Sequence, residues 1–427
     1  MIHSEYPERR YAWLVVVILL ATAVLSYTDR QVLSLLVDPI RASLNVNDSQ
    51  VSVLLGTAFA VVYAAAGIPL GWIADRFSRR NLILCGVALW SAGTLACGAC
   101  HSYGGMLASR AVVGLGEAAL SPAAISLIRD YFPPDKRGTA VAAFLSGIAM
   151  GSGAGILIGG GVLHLIENGA FHGTALAALP PWRTVLFVIG APGLLWALLL
   201  LIIREPARQV TEQLGSNPRG ARSWAMWAAV APLCTVLLAE SFADAAVGAW
   251  VPTLLIREFH HDPASVGLQL GLLLTGGFGA GVLLGGALAD RAGAWNAKLH
   301  ICGAAALLVL PLALAMTSGS FPLVMSAVGV YFVLAGINAA TATSALLDII
   351  PARSVGLIMS VSFCLNAAFG AGLGPSAVAF GARLFTSSTG LAVSIAACVS
   401  SGWAVSLLSV AVAPRAMRFM RTATAGN

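Results

Sequence analysis

The stretch GWIADR at residues 71–76 recurs 215 residues later as GALADR at residues 286–291. A second pattern, Asp-x-x-Pro at residues 130–133, recurs 218 residues later at residues 348–351. Each copy follows an apolar run at the corresponding place in its half of the chain. Two separate matches at nearly one offset indicate an internal duplication, so we predict two halves of the same architecture.

The composition indicates a membrane protein. The chain has 427 residues, of which 58% are hydrophobic and only 10% are charged, whereas a soluble domain has about 25% charged residues. Apolar runs of about 20 residues recur along its length, which is typical of a polytopic helical membrane protein. The first apolar run is too long for a signal peptide and no small-residue cleavage site follows it, so we expect a retained first helix.

Twelve membrane spans are predicted, and an Arg-rich stretch divides them six and six. The predicted domains are therefore an N-terminal six-helix bundle at 1–203, a cytoplasmic linker at 204–225 and a C-terminal six-helix bundle at 226–427. Most of the 24 Lys and Arg residues lie in segments on one side of these spans. The positive-inside rule then places both termini in the cytoplasm. The spans are predicted at 11–40, 49–74, 81–100, 103–131, 135–165, 182–203, 226–257, 265–289, 298–317, 320–350, 353–384 and 389–413.

The sequence GWIADRFSRR at 71–80 resembles the loop signature of the major facilitator superfamily, G-x-x-x-D-R-x-G-R-R, with Ser78 where Gly is usual. The glycine patterns at 110–116, 151–160 and 370–375 resemble helix patterns of the same superfamily. The resemblance implies an all-α polytopic membrane protein with twelve transmembrane helices in two six-helix pseudo-symmetric bundles, the major facilitator fold. It also implies a secondary transporter that works by alternating access, not an enzyme, and without a cofactor.

Within that superfamily, the segments YTDRQVL (27–33), GIPLGWIADRFSRR (67–80), RAVVGLGEA (110–118) and WRTVLFVIGAPGLLWALLLLIIREPAR (182–208) resemble the Spinster family. Members of that family transport lysolipids or sphingolipids, and several are thought to be proton-coupled. The resemblance implies an anionic or zwitterionic amphiphile as substrate. A small organic or aromatic acid is the alternative, because it would use the same charged residues. The expected partners are the bilayer, the substrate and protons, with no nucleic acid, for a monomer in a bacterial inner membrane.

Six ionisable residues lie inside predicted spans, where such groups normally face the bundle interior and mark substrate or proton pathways. Arg110 and Glu117 are two turns apart and share one helix face, so a cluster with Asp29 and Arg30 between the first and fourth helices is sterically reasonable. The repeat offset makes Asp244 the symmetric partner of Asp29, but Arg30 has no basic counterpart. The six predicted substrate or proton-coupling residues are Asp29, Arg30, Arg110, Glu117, Glu240 and Asp244.

These charges suggest a coupling mechanism. Burial favours the neutral form of a carboxyl group, and a neighbouring Arg favours the charged form. An anionic headgroup that binds Arg30 would take the counter-ion from Glu117 and make that acid easier to protonate. We therefore expect Arg30 to contact the anion, Glu117 to respond to protons and Asp29 to tune them or to be a second proton site. A fixed ion pair that only orients two helices is the alternative, and Arg110 could equally serve packing.

The repeated loop predicts a cytoplasmic gate. In the superfamily this loop is understood as a conformational latch, and Asp75 could oppose the positive end of a helix that begins near Arg353. The alternative is that the arginines only hold the loop inside. The predicted gate residues are Gly71, Asp75, Arg76, Arg79, Arg80, Asp290 and Arg291.

Three other patterns are weaker. CGACH at 97–101 matches a haem attachment signature, but the following connection leaves no room for a haem pocket, so we favour a chance match. No metal site is predicted, because His260 and His261 have no third ligand nearby. Asn338 and Asn366 lie mid-span and could line the cavity or form interhelical hydrogen bonds.

Overall fold

The computed structural model describes residues 6–208, 220–350, 355–385 and 389–425, and these ranges are helical without a β-strand. Eleven helices in this part of the chain are long and apolar enough to cross a membrane. They are α1 (Arg9–Leu35), α2 (Asp48–Arg76), α3 (Arg79–Ala99), α4 (Tyr103–Tyr131), α5 (Lys136–Glu167), α6 (Pro181–Ile202), α7 (Met226–Phe259), α8 (Pro263–Ala292), α9 (Trp295–Ala315), α10 (Phe321–Leu347) and α12 (Gly390–Arg418).

The twelfth helix, α11, lies between α10 and α12. It consists of Val355–Leu365, a wider π-type turn at Asn366–Ala371, and Gly372–Leu384. The prediction of an all-α protein with twelve helices is thus confirmed. Pro351 and Arg353 lie outside the described residues, as do positions 209–219 of the predicted linker.

The first span is shorter than predicted. Helix α1 ends at Leu35, and a separate short helix, Val37–Leu44, follows it. Pro39 lacks the N–H that would bond to the carbonyl of Leu35, so the chain restarts there with proline in a first turn. The short helix ends at Asn45, whose φ of 51° is in the left-handed region.

The chain forms two compact units. Unit one contains Met1–Thr211 and Pro252–Thr275, and unit two contains Glu212–Val251 and Gly276–Asn427. The end of α7 and the start of α8 therefore belong to unit one. The sequence-based boundaries at 1–203, 204–225 and 226–427 remain a prediction about domains.

Glycines bring helices together within unit one. A Cβ on Gly147 would lie 2.6 Å from the carbonyl oxygen of Leu20, and one on Gly155 would lie 2.9 Å from the Cα of Thr28. Small residues spaced by four allow such close approach of membrane helices. Helix α5 thus packs directly on the backbone of α1, and this contact fixes where the polar residues of α1 lie.

Unit two has a related contact between α7 and α11. A Cβ on Gly374 would lie 2.6 Å from the carbonyl oxygen of Phe242. Trp250 and Trp403 are fully buried in the same unit, and the indole of Trp250 donates to the carbonyl of Pro375 at 2.8 Å. These contacts hold α7 against α11, so the acids of α7 face the interior.

Candidate functional site

An ion pair joins α1 and α4 in unit one. The Nε of Arg30 lies 2.5 Å from Oε2 of Glu117, and the hydroxyl of Ser26 donates to the same oxygen at 2.7 Å. The side chain of Glu117 is 0% exposed, whereas that of Arg30 is 15% exposed. The acid is therefore sealed, while part of its cationic partner can still be reached.

Three aromatic rings surround the Arg30 guanidinium. Its Cζ lies 4.4 Å from the ring centre of Tyr27, 4.2 Å from that of Phe59 and 5.0 Å from that of Tyr63. Phe59 and Tyr63 stack at 5.4 Å on one face of α2. Rings at these distances attract the cation through their π faces. Sequence reasoning missed this aromatic box, although the four-residue spacing of Phe59 and Tyr63 was a usable signal.

Asp29 lies away from the Arg30–Glu117 pair. Successive helix residues differ by about 100° in direction, and the carboxyl of Asp29 turns toward α3, where the hydroxyl of Thr94 donates to it at 3.1 Å. Its other oxygen is buried and has no hydrogen-bond partner among the described residues. The structure therefore brings Arg30 and Glu117 into contact, but gives Asp29 a separate partner.

Arg110 is buried and bonds to the backbone. Its Nε donates to the carbonyl of Leu54 at 3.1 Å, and Leu54 belongs to a π-type turn at Val53–Thr57. Such turns interrupt the regular pattern of backbone bonds and can leave a carbonyl for a side-chain donor. No ion pair joins Arg110 to Glu117 in the part of the chain that the structure describes.

The two acids of α7 lie in unit two, where their partners are neutral. The amide Nδ2 of Asn338 donates to Oε2 of Glu240 at 2.8 Å, so Asn338 forms an interhelical hydrogen bond. The phenol of Tyr331 donates to Asp244 at 2.6 Å. Neither acid has a Lys or Arg partner within the described ranges. Sequence reasoning missed Tyr331.

The predicted gate arginine Arg79 is fully buried in unit one. It forms an ion pair with Asp130 and a second one with Glu205 at 2.7 Å. Glu205 also accepts from the backbone N–H of Arg80 at 2.9 Å and from the hydroxyl of Ser78 at 3.0 Å. Burial raises the pKa of Glu205, but the bonds from Arg80 and Arg79 outweigh it and leave the pKa below its usual value.

Glu205 was missed because its chemistry depends on place. It lies at the N-terminus of α3, where unpaired backbone N–H groups favour an anion. Its sequence position just after α6 gave no sign that it would reach the loop between α2 and α3. The loop therefore closes around a carboxylate supplied from more than a hundred residues away.

The remaining gate residues surround the end of α2. Arg208 donates to the carbonyls of Ala74 at 3.0 Å and Phe77 at 2.8 Å, and so caps this helix. The guanidinium of Arg76 lies 4.0 Å from the Trp72 ring centre. Asp75 is exposed, and no described residue forms an ion pair with its carboxylate. Its predicted partner near Arg353 lies outside the described residues. Gly71 has open space beside its Cα, and Asp290 and Arg291 are exposed.

Unit two contains a counterpart of the Arg79 pair. The ammonium of Lys298 donates to Asp348 at 2.7 Å and to the hydroxyl of Ser344 at 3.0 Å. In unit one, Arg79 contacts Asp130 and Ser126 in the same way. The repeat offset that links Asp130 with Asp348 could have predicted the Lys298 pair, and sequence reasoning did not use it.

A further ionic cluster of unit one was also missed. Arg257, at the end of α7, contacts Asp38 at 2.6 Å and Asp48 at 2.8 Å. Burial lies between that of surface and core, with 27% of the Arg257 side chain exposed. The cluster ties the end of α7 to the segment between α1 and α2.

The CGACH segment at the end of α3 binds an arginine. Arg183 of α6 donates to the carbonyl of Cys100 at 2.7 Å and contacts the His101 ring at 3.1 Å. Cys97 is buried. No group of three or more His, Cys, Asp or Glu residues that could hold a metal occurs in the described ranges.

The chain matches known membrane transport proteins. The family model described as Major Facilitator Superfamily matches residues 19–375. An MFS-type efflux pump of Mycolicibacterium smegmatis is 29% identical over 293 residues, which are 68% of this chain and 65% of the pump. Protein spinster of Drosophila melanogaster is 30% identical over 203 residues, 48% of this chain and 31% of that protein. A sphingosine-1-phosphate transporter of Danio rerio is 30% identical over 244 residues, 55% of this chain and 46% of that protein. The matched regions thus span less than two thirds of these relatives.

Solved structures agree on the fold. A bacterial homologue of the human lysosomal transporter Spinster, in an inward-facing and unoccupied conformation, has a TM-score of 0.74 and 24% identity, with 97% of each chain covered. A D-xylose–proton symporter has a TM-score of 0.72 and 14% identity, with 95% of this chain and 97% of the symporter covered. At these identities the likeness shows the fold alone. The predicted resemblance to Spinster proteins is confirmed by both comparisons.

Proposed function

Because the chain belongs to the major facilitator superfamily, a family of transporters rather than enzymes, we propose that it is a proton-coupled secondary transporter. Its substrate is an anionic or zwitterionic amphiphile of the lysolipid or sphingolipid class. It works by alternating access as a monomer in a bacterial inner membrane, with both termini in the cytoplasm.

The unequal exposure of the Arg30–Glu117 pair carries this proposal. The guanidinium is 15% exposed over an acid that is 0% exposed. Only one of its edges is used by Glu117, through Nε, so its remaining N–H groups can bind a phosphate or carboxylate. The planar fork of arginine suits both anions.

Proton coupling follows from competition for Arg30. When a substrate anion draws the guanidinium away, Glu117 keeps only the Ser26 hydroxyl as a partner. An ionised carboxylate in a buried site is then costly, so the acid binds a proton. Asp29, whose only described partner is Thr94, is a second proton site in unit one.

The aromatic box supports the substrate class. Once the guanidinium moves toward an anion, the faces of Tyr27, Phe59 and Tyr63 are free to bind a cationic amine, because aromatic faces attract ammonium groups. A headgroup with a phosphate and an amine would satisfy both. The name of the Danio rerio relative, a sphingosine-1-phosphate transporter, is consistent with such a headgroup.

The gate completes the proposal. Asp75, Arg76, Arg79 and Arg80 form a latch on the cytoplasmic side, and Asp290 and Arg291 form its second copy. Buried Arg79 fixes the shape of the loop through Asp130 and Glu205. Exposed Asp75 is left available to contact another helix.

The test is proton uptake by proteoliposomes on addition of lysolipids, sphingolipids or small organic acids. We expect uptake with a phosphate-bearing amphiphile, and about 10- to 100-fold weaker uptake in Arg30→Ala and Glu117→Gln, as for loss of a charged hydrogen bond. Arg41→Ala, at a side chain that is 44% exposed, is the control and should behave as the parent protein.

Two outcomes would overturn the proposal. Uptake driven only by small acids would replace the amphiphile with the alternative substrate class. Uptake unchanged in Arg30→Ala and Glu117→Gln would make this pair a structural brace, and coupling would have to lie elsewhere.

A further inference from the structure

Two buried oxygen atoms in unit two have no hydrogen-bond partner within the described ranges, and they belong to neighbouring groups. One is Oε1 of Glu240 and the other is Oδ1 of Asn338. The residues are 3% and 0% exposed. Their other two atoms are already joined, since Nδ2 of Asn338 donates to Oε2 of Glu240 at 2.8 Å. An amide and a carboxyl thus face each other with one bond made and two acceptors unmatched.

We propose that Glu240 binds a proton on Oε1 and donates it to Oδ1 of Asn338, so that unit two holds a proton-binding site of its own. A neutral carboxylic acid and a primary amide form two parallel hydrogen bonds, each group donating once and accepting once. A single proton would satisfy both unmatched oxygens. The proton comes from water and returns to water, and no other bond changes.

The surroundings of Glu240 favour the neutral acid. The titratable groups that face it are Asp244 on its own helix, Cys302 on α9 and Tyr331 on α10. None of these carries a positive charge, and no described Lys or Arg bonds to either acid. A buried carboxylate without a counter-ion is strongly disfavoured, so such groups neutralise. Glu117 differs because Arg30 supplies the missing charge.

Asn338 acts as a positioning residue. It lies on α10 and bonds to α7, so the proton site joins two helices of unit two. One turn along α7, Asp244 accepts from Tyr331, and the Tyr331 hydroxyl is 3.5 Å from the Trp403 indole nitrogen of α12. Proton occupancy does not require any assumption about substrate, whereas its use in transport rests on the proposed function.

Infrared spectroscopy of the purified full chain tests the site. We expect a protonated-carboxyl stretching band at neutral pH that shifts in deuterium oxide. The band should disappear in Glu240→Gln and persist in the matched variant Glu117→Gln. Asn338→Leu should keep the band but shift its frequency, because the acid loses its hydrogen-bonding partner, and this readout survives if Glu240→Gln does not fold.

The outcomes separate this site from the proposed function. Absence of a band assigned to Glu240, or an unchanged frequency in Asn338→Leu, would overturn the site whatever the protein transports. A Glu240 band in a protein that moves no amphiphile would support the site while the proposed substrate fails. If both stand, Glu240→Gln should retain substrate exchange without a proton gradient and lose accumulation driven by one.

Discussion

The two units solve the same problem, a carboxyl group buried in a membrane helix bundle, in different ways. In unit one, Glu117 has the cation Arg30 at 2.5 Å. In unit two, Glu240 has the neutral amide of Asn338 at 2.8 Å. A cation can be displaced by an incoming anion, whereas an amide cannot be displaced in that way. The comparison teaches that only unit one can link an anionic substrate to the charge of its acid.

The scaffold beneath these groups is much more alike than the groups themselves. Gly155 of α5 packs on the backbone of α1, and Gly374, 219 residues later, packs on α7. The pairs Arg79–Asp130 and Lys298–Asp348 also correspond. Duplication has therefore kept the helix contacts and the loop ion pair, while the mid-span partners have diverged.

The largest expected effect distinguishes the two buried acids. Arg30→Met leaves Glu117 without a counter-ion, and we expect a loss of about 3–5 kcal/mol in unfolding free energy. Asn338→Leu removes only a neutral partner and should cost about 1–3 kcal/mol. Unfolding by denaturant in detergent micelles measures both.

A double variant is the control for this effect. Arg30→Met with Glu117→Gln removes both charges and should recover most of the stability, because no buried charge remains. Equal losses for Arg30→Met and Asn338→Leu would mean that both acids have the same charge state, and the comparison between the units would fail.

The corresponding loop ion pairs should differ in strength. Arg79 and Asp130 are both 0% exposed, so Asp130→Asn should cost about 3 kcal/mol, with Glu205 retaining part of the charge balance. The Asp348 side chain is 39% exposed, and Asp348→Asn should cost less than about 1 kcal/mol. Thermal unfolding of the two variants side by side checks this order, and a larger loss for Asp348→Asn would contradict it.

Much of the fold could be predicted because it depends on long apolar runs and on a repeated loop. The contact of Arg30 with Glu117 could also be foreseen, since helix geometry gives depth and facing from residue spacing. The direction of Asp29 could not, because the helix it meets depends on how α1 packs on its neighbours. Glu205 and Tyr331 were missed for the same reason, as their roles arise only from the tertiary structure.

The pH dependence of Glu205 tests the part of the loop that unit two is not seen to share. Its pKa is lowered on folding, so its stabilisation is present above the usual value of about 4.3 and is lost as pH falls through the lowered one. Glu205→Gln should therefore cost about 1–3 kcal/mol at neutral pH, and the difference should vanish in acid.

Melting temperatures of Glu205→Gln measured from neutral to acidic pH check this dependence. Exposed Glu167 at the end of α5 gives the control, since Glu167→Gln should melt like the parent protein throughout. A Glu205→Gln deficit that is the same at neutral and acidic pH would show that packing, rather than charge, stabilises the loop.

The smallest effect concerns the shared scaffold, and here the two units should agree. A Cβ on Gly155 would lie 2.9 Å from a backbone atom of Thr28, and one on Gly374 would lie 2.6 Å from a backbone atom of Phe242. Because backbone cannot yield easily, Gly155→Ala and Gly374→Ala should each cost about 1–3 kcal/mol by overpacking. Gly161 has no atom within 4 Å of such a Cβ, so Gly161→Ala should be neutral or stabilise the helix by up to about 1 kcal/mol. Melting temperatures of the three variants measure this, and a strong loss in only one unit would show that the duplicated contacts no longer perform the same structural role.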